Sequence, residues 1–470
     1  MIIYEHIAKW LLASILCGLV ACEAPAGEQG QQGEQGEQGE QGQQGERGAS
    51  CMTAANDDGS YTLTCPDSDP ITIRDGGRGE RGEQGEPCYA EDHGDGTYTI
   101  TCPDSDPITA SDGERDPSVW FGDISISSQE ELDLLKLHYS RITGTLNITN
   151  SDIIILDIET LIPRDIRIVG NPVLTTINFT LFAAAEDSLS IQNNEALTTI
   201  DLPLLADVGH ELSIRNNEAL TMVNLPSLAD VERYLSIDSN PALTTIDLPL
   251  LHAFGERLSI QNNEALTSID LPSLSEGGRD LSITNNLILA TVNLPSLVSV
   301  GQDLSINRNG AIAAIDLPLL ADVGNNFSIN SNGALTRIDL PSLTEVGDTL
   351  FVIFSEALTT LNLPLLASVG HDLSIYNNGA LTTIAPPSLA SVGHNLFIYN
   401  HGALTTIDFA LLVNVGNELR VNNNQALTAI NLPSLTEVGQ ALSIFDNAAC
   451  NDLESADLPC SCEDDVITNF

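Results

Sequence analysis

Basic residues are scarce in this chain of 470 residues. Only 17 Lys and Arg stand against 65 Asp and Glu, a formal net charge of −48 at pH 7. Phosphate binding needs clustered positive charge, which argues against nucleic acid as a partner. Such acidity favours a solvated surface and attracts cations. Aromatic residues make up 4% of the chain, so no aromatic cage or cofactor box stands out. Beyond Cys22 no apolar run is long enough to cross a bilayer. Signatures of catalysis are missing too: no Gly-rich phosphate loop after a strand, no HExxH, no G-x-S-x-G and no CxxC. His210, His252, His371, His394 and His401 are scattered, most of them in corners between repeats. They read as solvated surface residues, and no metal or cofactor is expected.

What the chain does have is repetition. The unit LSIQNNEALTTIDLPLLADVGHE runs from Leu189 to Glu211 and returns every 23 residues. Its first position, numbered zero, is Leu189, Leu212, Leu235, Leu258, Leu281, Leu304, Phe327, Leu350, Leu373, Leu396, Leu419 and Leu442, with Ile166 one step earlier. A fixed period of this size marks a solenoid. Positions 0 and 2 are apolar and position 1 is usually Ser, the alternation of a short strand. Apolar residues return at positions 8, 11, 13, 16 and 19, as in Leu197, Ile200, Leu202, Leu205 and Val208. Burying each contributes roughly 1.5–3 kcal/mol, and only stacked coils can hide the whole set.

Position 5 is Asn in most coils, from Asn171 to Asn447, with Ser355 and His401 as exceptions. A column of Asn at one bend predicts a stacked ladder that satisfies backbone groups inside the turn. Position 14 is Pro, as in Pro203 and Pro226, which ends a second strand. Position 20 is mostly Gly, as in Gly209, Gly255, Gly301 and Gly416, which points to a positive φ at a tight corner.

The pattern L-x-I-x-N-N-x-x-L-x-x-I-x-L-P-x-L-x-x-V-G resembles the receptor L domain, a relative of leucine-rich repeats, from about Val119 to Asn447. The opening stretch from Gly122 to Thr149 is similar to the start of that family. The resemblance implies a right-handed solenoid of short parallel strands, and in receptors such domains bind ligands. Receptor L domains are shorter arrays than this uninterrupted run. The fold class expected is mainly β, a right-handed parallel solenoid of 23-residue coils.

The N-terminus carries Lys9 and then an apolar run from Trp10 to Ala21, too short for a permanent span. Leu19-Val20-Ala21-Cys22 resembles a bacterial lipobox, which implies cleavage before Cys22 and a lipid on that residue. Acyl chains would then hold the protein on the membrane without a helix, at the bacterial envelope, in the outer membrane or at the cell surface. From Gly27 to Ser50 Gly stands at every third place, and Gly76 to Pro87 repeats this briefly. That is the collagen period. Pro is nearly absent, and acidic triplets would repel across three chains, so a flexible tether is read ahead of a trimeric stem.

Two related modules hold Cys51 with Cys65 and Cys88 with Cys102, around the strands YTLT and YTIT. In an exported protein each pair reads as a disulfide closing a small hairpin. The division expected is a signal peptide at 1–21, lipid anchor and stalk at 22–50, Cys modules at 51–75 and 88–117 around a Gly-X-Y segment at 76–87, the solenoid at 118–449 and a cap at 450–470. Ser128 to Glu131 is a capping box that opens a helix to about Lys136, whose Leu132, Leu134 and Leu135 can cover the first coil. At the other end Cys450, Cys460 and Cys462 suggest a disulfide cap, its pairing left open.

Two surface columns are candidates for function. Position 12 is Asp or Asn: Asp201, Asn224, Asp247, Asp270, Asn293, Asp316, Asp339, Asn362, Asp408, Asn431. A parallel β-helix enzyme that acts on polysaccharides with calcium would use such carboxylates. Asn interleaved to relieve charge along a wet edge is the preferred reading. Positions 1 and 3 point away from the core and are mostly polar, yet three successive coils carry Phe351 and Ile353, Tyr376, then Phe397 and Tyr399. An exposed apolar patch of this kind marks an interaction site, with a surface protein or polysaccharide as partner. The function expected is non-enzymatic: binding, adhesion or an envelope-structural role.

Overall fold

The computed structural model describes residues 52–55, 60–64, 71–74, 89–92, 97–101, 107–111, 116–158 and 162–448. The chain divides into two compact units, Met1–Gly113 and Glu114–Phe470. Cys22, the Gly-X-Y tracts, the proposed disulfides and the C-terminal cap all lie outside the described residues.

In the first unit each Cys module is a three-stranded antiparallel meander. Met52–Ala55, Ser60–Thr64 and Ile71–Arg74 form one, and Tyr89–Asp92, Thr97–Thr101 and Ile108–Ser111 the other. YTLT and YTIT lie in the middle strands. The expected hairpin therefore gains a third strand, from ITIR and ITAS.

The second unit is a parallel β-solenoid. Positions −1 to 3 of the coils build a 16-stranded sheet, paired Leu on Leu and Ile on Ile, as in Leu189↔Leu212 and Ile191↔Ile214. Positions 10–12 form a second set of short strands, as in Thr199–Asp201 under Met222–Asn224, which ends before the Leu-Pro pair. Positions 18–19 form a third, as in Asp207–Val208. The apolar positions are buried from coil to coil, Leu197, Ile200, Leu202 and Leu205 at 0% exposure. The helix Gln129–His138 covers the first coil with Leu132 and Leu135. Ser128 caps it by accepting from the Glu131 N–H. Leu134, expected beneath the helix, faces solvent instead.

Two backbone devices turn the chain. The first is a left-handed residue at position 4, at φ 55° in Asn193 and Asn216 and 57° in Ser239. Asn and Ser tolerate this region because a short polar side chain can bond locally. The Asn at position 5 then lies buried and forms the ladder that the repeat predicts. Asn217 Nδ2 donates to the Ile191 carbonyl at 3.1 Å, and its Oδ1 accepts from the Asn194 backbone N–H at 3.1 Å. The same two bonds recur at Asn240, Asn263 and Asn286.

The second device corrects the reading of position 20 in most coils, although Gly278 does take a positive φ of 49°. Gly209, Gly255, Gly301 and Gly416 do not take a positive φ. A Cβ there would overlap the carbonyl oxygen of the coil before: Glu186 under Gly209, Glu232 under Gly255, Gly278 under Gly301 and Gly393 under Gly416. Glycine is selected for the close approach of two stacked backbones.

Candidate functional site

The coils starting at Leu350, Leu373 and Leu396 depart from the rest in several columns at once. Parallel pairing puts Ile353 beside Tyr376 and Tyr376 beside Tyr399, and puts Ser374 between Phe351 and Phe397. Tyr376 and Tyr399 stack face to face, centroids 4.5 Å apart and 7° from parallel. Burial pushes the Tyr399 hydroxyl above its ordinary value; neighbouring Tyr376 adds to the shift and Arg420 opposes it. Phe351, Tyr376, Phe397 and Tyr399 are half-buried on the outward face. Ile353 is not part of that surface: it is 7% exposed and buried, contrary to the sequence reading. Phe445, two rungs beyond Tyr399 in the same column, lies under the Arg420 guanidinium at 5.6 Å.

Sequence reasoning missed Phe354. It holds the left-handed position 4 at φ 54°, where the other non-glycine residues with positive φ are Asn, Ser, Asp or Arg among the described residues. A bulky side chain in this region is an outlier, costing on the order of 1–3 kcal/mol. Its ring meets Tyr376 edge-on at 5.5 Å and remains 48% exposed. The position-4 column, read with the backbone in mind, would have singled it out.

The next residue weakens the Asn ladder. Ser355 is too short for both bonds of an Asn amide. Its N–H reaches Asn378 Oδ1 at 2.9 Å, and its hydroxyl is buried without a partner. Further along, His401 replaces Asn and is 1% exposed. Its Nε2 lies 3.0 Å from the Ile375 carbonyl and its Nδ1 3.0 Å from the Asn378 carbonyl. A neutral imidazole carries one N–H and can satisfy only one of them. Burial lowers the His401 pKa from its ordinary value, against the pull of both carbonyls.

The corner leading into the same sheet brings together residues that looked scattered. His371 and His394 occupy position 21 of successive coils, and Asp372 follows His371. The two imidazoles stack at 4.3 Å, 18° from parallel. Both Nδ1 atoms face one oxygen, Asp372 Oδ1, at 3.2 Å from His371 and 3.1 Å from His394. That oxygen also accepts from the Asn395 backbone N–H at 2.9 Å, and Asp348 lies 3.9 Å from His371 Nδ1. The sequence signal was a repeat of 23 between the two His residues.

The position-12 column behaves as a wet edge. Asn224, Asn293, Asn362 and Asn431 each donate to an Asp one coil earlier, at 2.6–2.8 Å. Arg337 bridges Asp316 and Asp339, at 3.1 and 2.6 Å. In a groove lined by Arg215, Arg257 and Arg279, guanidiniums and carboxylates likewise pair, Arg257 with Asp280 at 2.8 Å and Arg279 with Glu256 at 2.9 Å. Among the described residues no helix is long and apolar enough to cross a membrane. No protein-family model matches this chain, and no curated protein matches it either.

Proposed function

We propose that this is a lipid-anchored protein of the bacterial envelope, whose solenoid, akin to a receptor L domain, binds a surface protein or polysaccharide without turning it over. The lipid on Cys22 and the Gly-X-Y tether would hold the solenoid at the cell surface. One observation carries the binding reading. Phe351, Phe354, Tyr376, Phe397 and Tyr399 gather on three successive coils of a chain otherwise poor in aromatics. Aromatic rings with half their faces in water make good anchors for partners. A strained Phe354 beside them fits a residue kept for contact more than for stability.

The test is the triple variant Phe351→Ser, Tyr376→Gln, Phe397→Ser, which copies the polar residue types of the other coils. Binding to a glycan array and to cells should fall at least about tenfold, the scale of one anchoring contact, while the fold is retained. If binding is unchanged and only the melting temperature drops, the rings serve packing alone. Anchoring is checked separately. Cys22→Ser should abolish labelling by fatty acid and release the chain from membranes, and full membrane retention without label on the native form would sink that part.

A further inference from the structure

We propose that His371, Asp372 and His394 form a binding site for a divalent transition-metal ion of the zinc class. The three side chains present ligand atoms that all lie within 4.8 Å of one another. Two imidazole nitrogens and a carboxylate oxygen form a donor set that suits zinc, copper or nickel, whereas calcium prefers oxygen alone. Their spacing fits as well. On a tetrahedral ion with bonds of about 2.0–2.1 Å, neighbouring ligand atoms stand roughly 3.3 Å apart. The two Nδ1 atoms stand 3.2 and 3.1 Å from Asp372 Oδ1.

The surroundings favour a cation. Asp348 lies 3.9 Å from His371 Nδ1, and the chain's −48 charge raises the local concentration of counter-ions. Both His side chains are about half exposed, 51% and 42%, so an ion can enter and the rings can turn. Turning is required. Rings 18° from parallel direct their in-plane lone pairs alongside each other, so a single ion makes them fold toward one another. Three protein ligands leave a fourth position for water or for a ligand atom. Asp372 immediately precedes the strand Leu373–Tyr376, two and four residues before Ser374 and Tyr376, so the site lies at the edge of the face that carries the aromatic cluster.

The experiment is a titration of the full chain and of His371→Asn, His394→Asn and Asp372→Asn with zinc(II), and in parallel with calcium(II). Asn already occupies position 21 at Asn325 and Asn417, so the two His variants carry a residue the corner accepts. Melting without metal checks that they fold. The wild type should bind one more equivalent of zinc than each His variant. Asp372→Asn should weaken that equivalent about tenfold or more. Zinc should raise the melting temperature of the wild type and of neither His variant, and calcium should not compete. Equal zinc stoichiometry and affinity in the wild type and either His variant would overturn the site. So would displacement of zinc by equimolar calcium.

Discussion

The coils from Leu189 to Asn332 and those from Leu350 to His401 share one scaffold and use it differently. In the first stretch the strand and turn columns are regular: Leu or Phe327 and Ile inward at positions 0 and 2, a polar left-handed residue at position 4, then a buried Asn bonded to the coil before and, as far as Asn309, to the coil after. In the second the inward columns persist, with Leu350, Leu373 and Leu396 at 0% exposure. The outward and turn columns give way to Phe354, Ser355 and His401. A solenoid permits this because each coil touches only its neighbours, so a local loss of stability need not spread. The regular coils display what stacking selects. The irregular ones display what stacking tolerates, and the binding proposed above would be a reason to tolerate it.

Five substitutions test that contrast. In the regular stretch, Asn217→Ala should have the largest effect. It leaves the Ile191 carbonyl and the Asn194 N–H unpaired, about 1–3 kcal/mol for each buried group, read as a drop in denaturant midpoint. Gly370→Ala comes next. Its Cβ would overlap the Gly347 carbonyl, for a loss of about 2 kcal/mol. Gly333→Ala, with nothing within 4 Å, should stay within about 0.5 kcal/mol.

Phe354→Asn should move stability and binding in opposite directions. Relieving the left-handed strain should stabilise the fold by about 1 kcal/mol, while partner capture falls. A variant that loses stability would show that Phe354 is a packing residue.

His401→Asn should have a small effect at neutral pH and a growing one below it. The folded pKa of His401 lies below its unfolded value of 6.5. As pH falls through 6.5 the unfolded chain takes up a proton that the folded chain resists, so the wild type loses stability there. The Asn variant lacks this loss, and the gap between the two melting temperatures should widen from pH 7 to pH 5. A gap independent of pH would mean that folding leaves the His401 pKa at its unfolded value, and would overturn this reading.

The core was legible because stacking writes the same residue type into every coil, so Leu189, Ile191 and Asn194 announce their roles by returning. Position 14 and the capping box at Ser128 were legible for local reasons. The function of position 4 was not, since Asn, Ser, Arg and Phe share a backbone angle rather than a chemistry. Position 20 misled because glycine serves two ends, and the stacked carbonyls show that close approach is the one in force at Gly209, Gly255, Gly301 and Gly416, while Gly278 alone adds a positive φ. Tyr376 and Tyr399 could be placed side by side from the period alone. Ile353 could not be told apart as buried, because burial on an outward face depends on neighbouring side chains. His371 and His394 were read as scattered surface residues because a corner between strands carries no alternation to reveal which way its residues face.

The Asn ladder has a consequence for how such a protein can change over time. From Asn194 to Asn309 each rung makes the same bonds to the coil before and the coil after, so removing or duplicating a block of 23 residues there rejoins matching surfaces. Recombination between repeats therefore alters the molecule in whole steps of about 4.8 Å. The aromatic coils can thus be carried nearer to or farther from the capping helix with no compensating substitution within them.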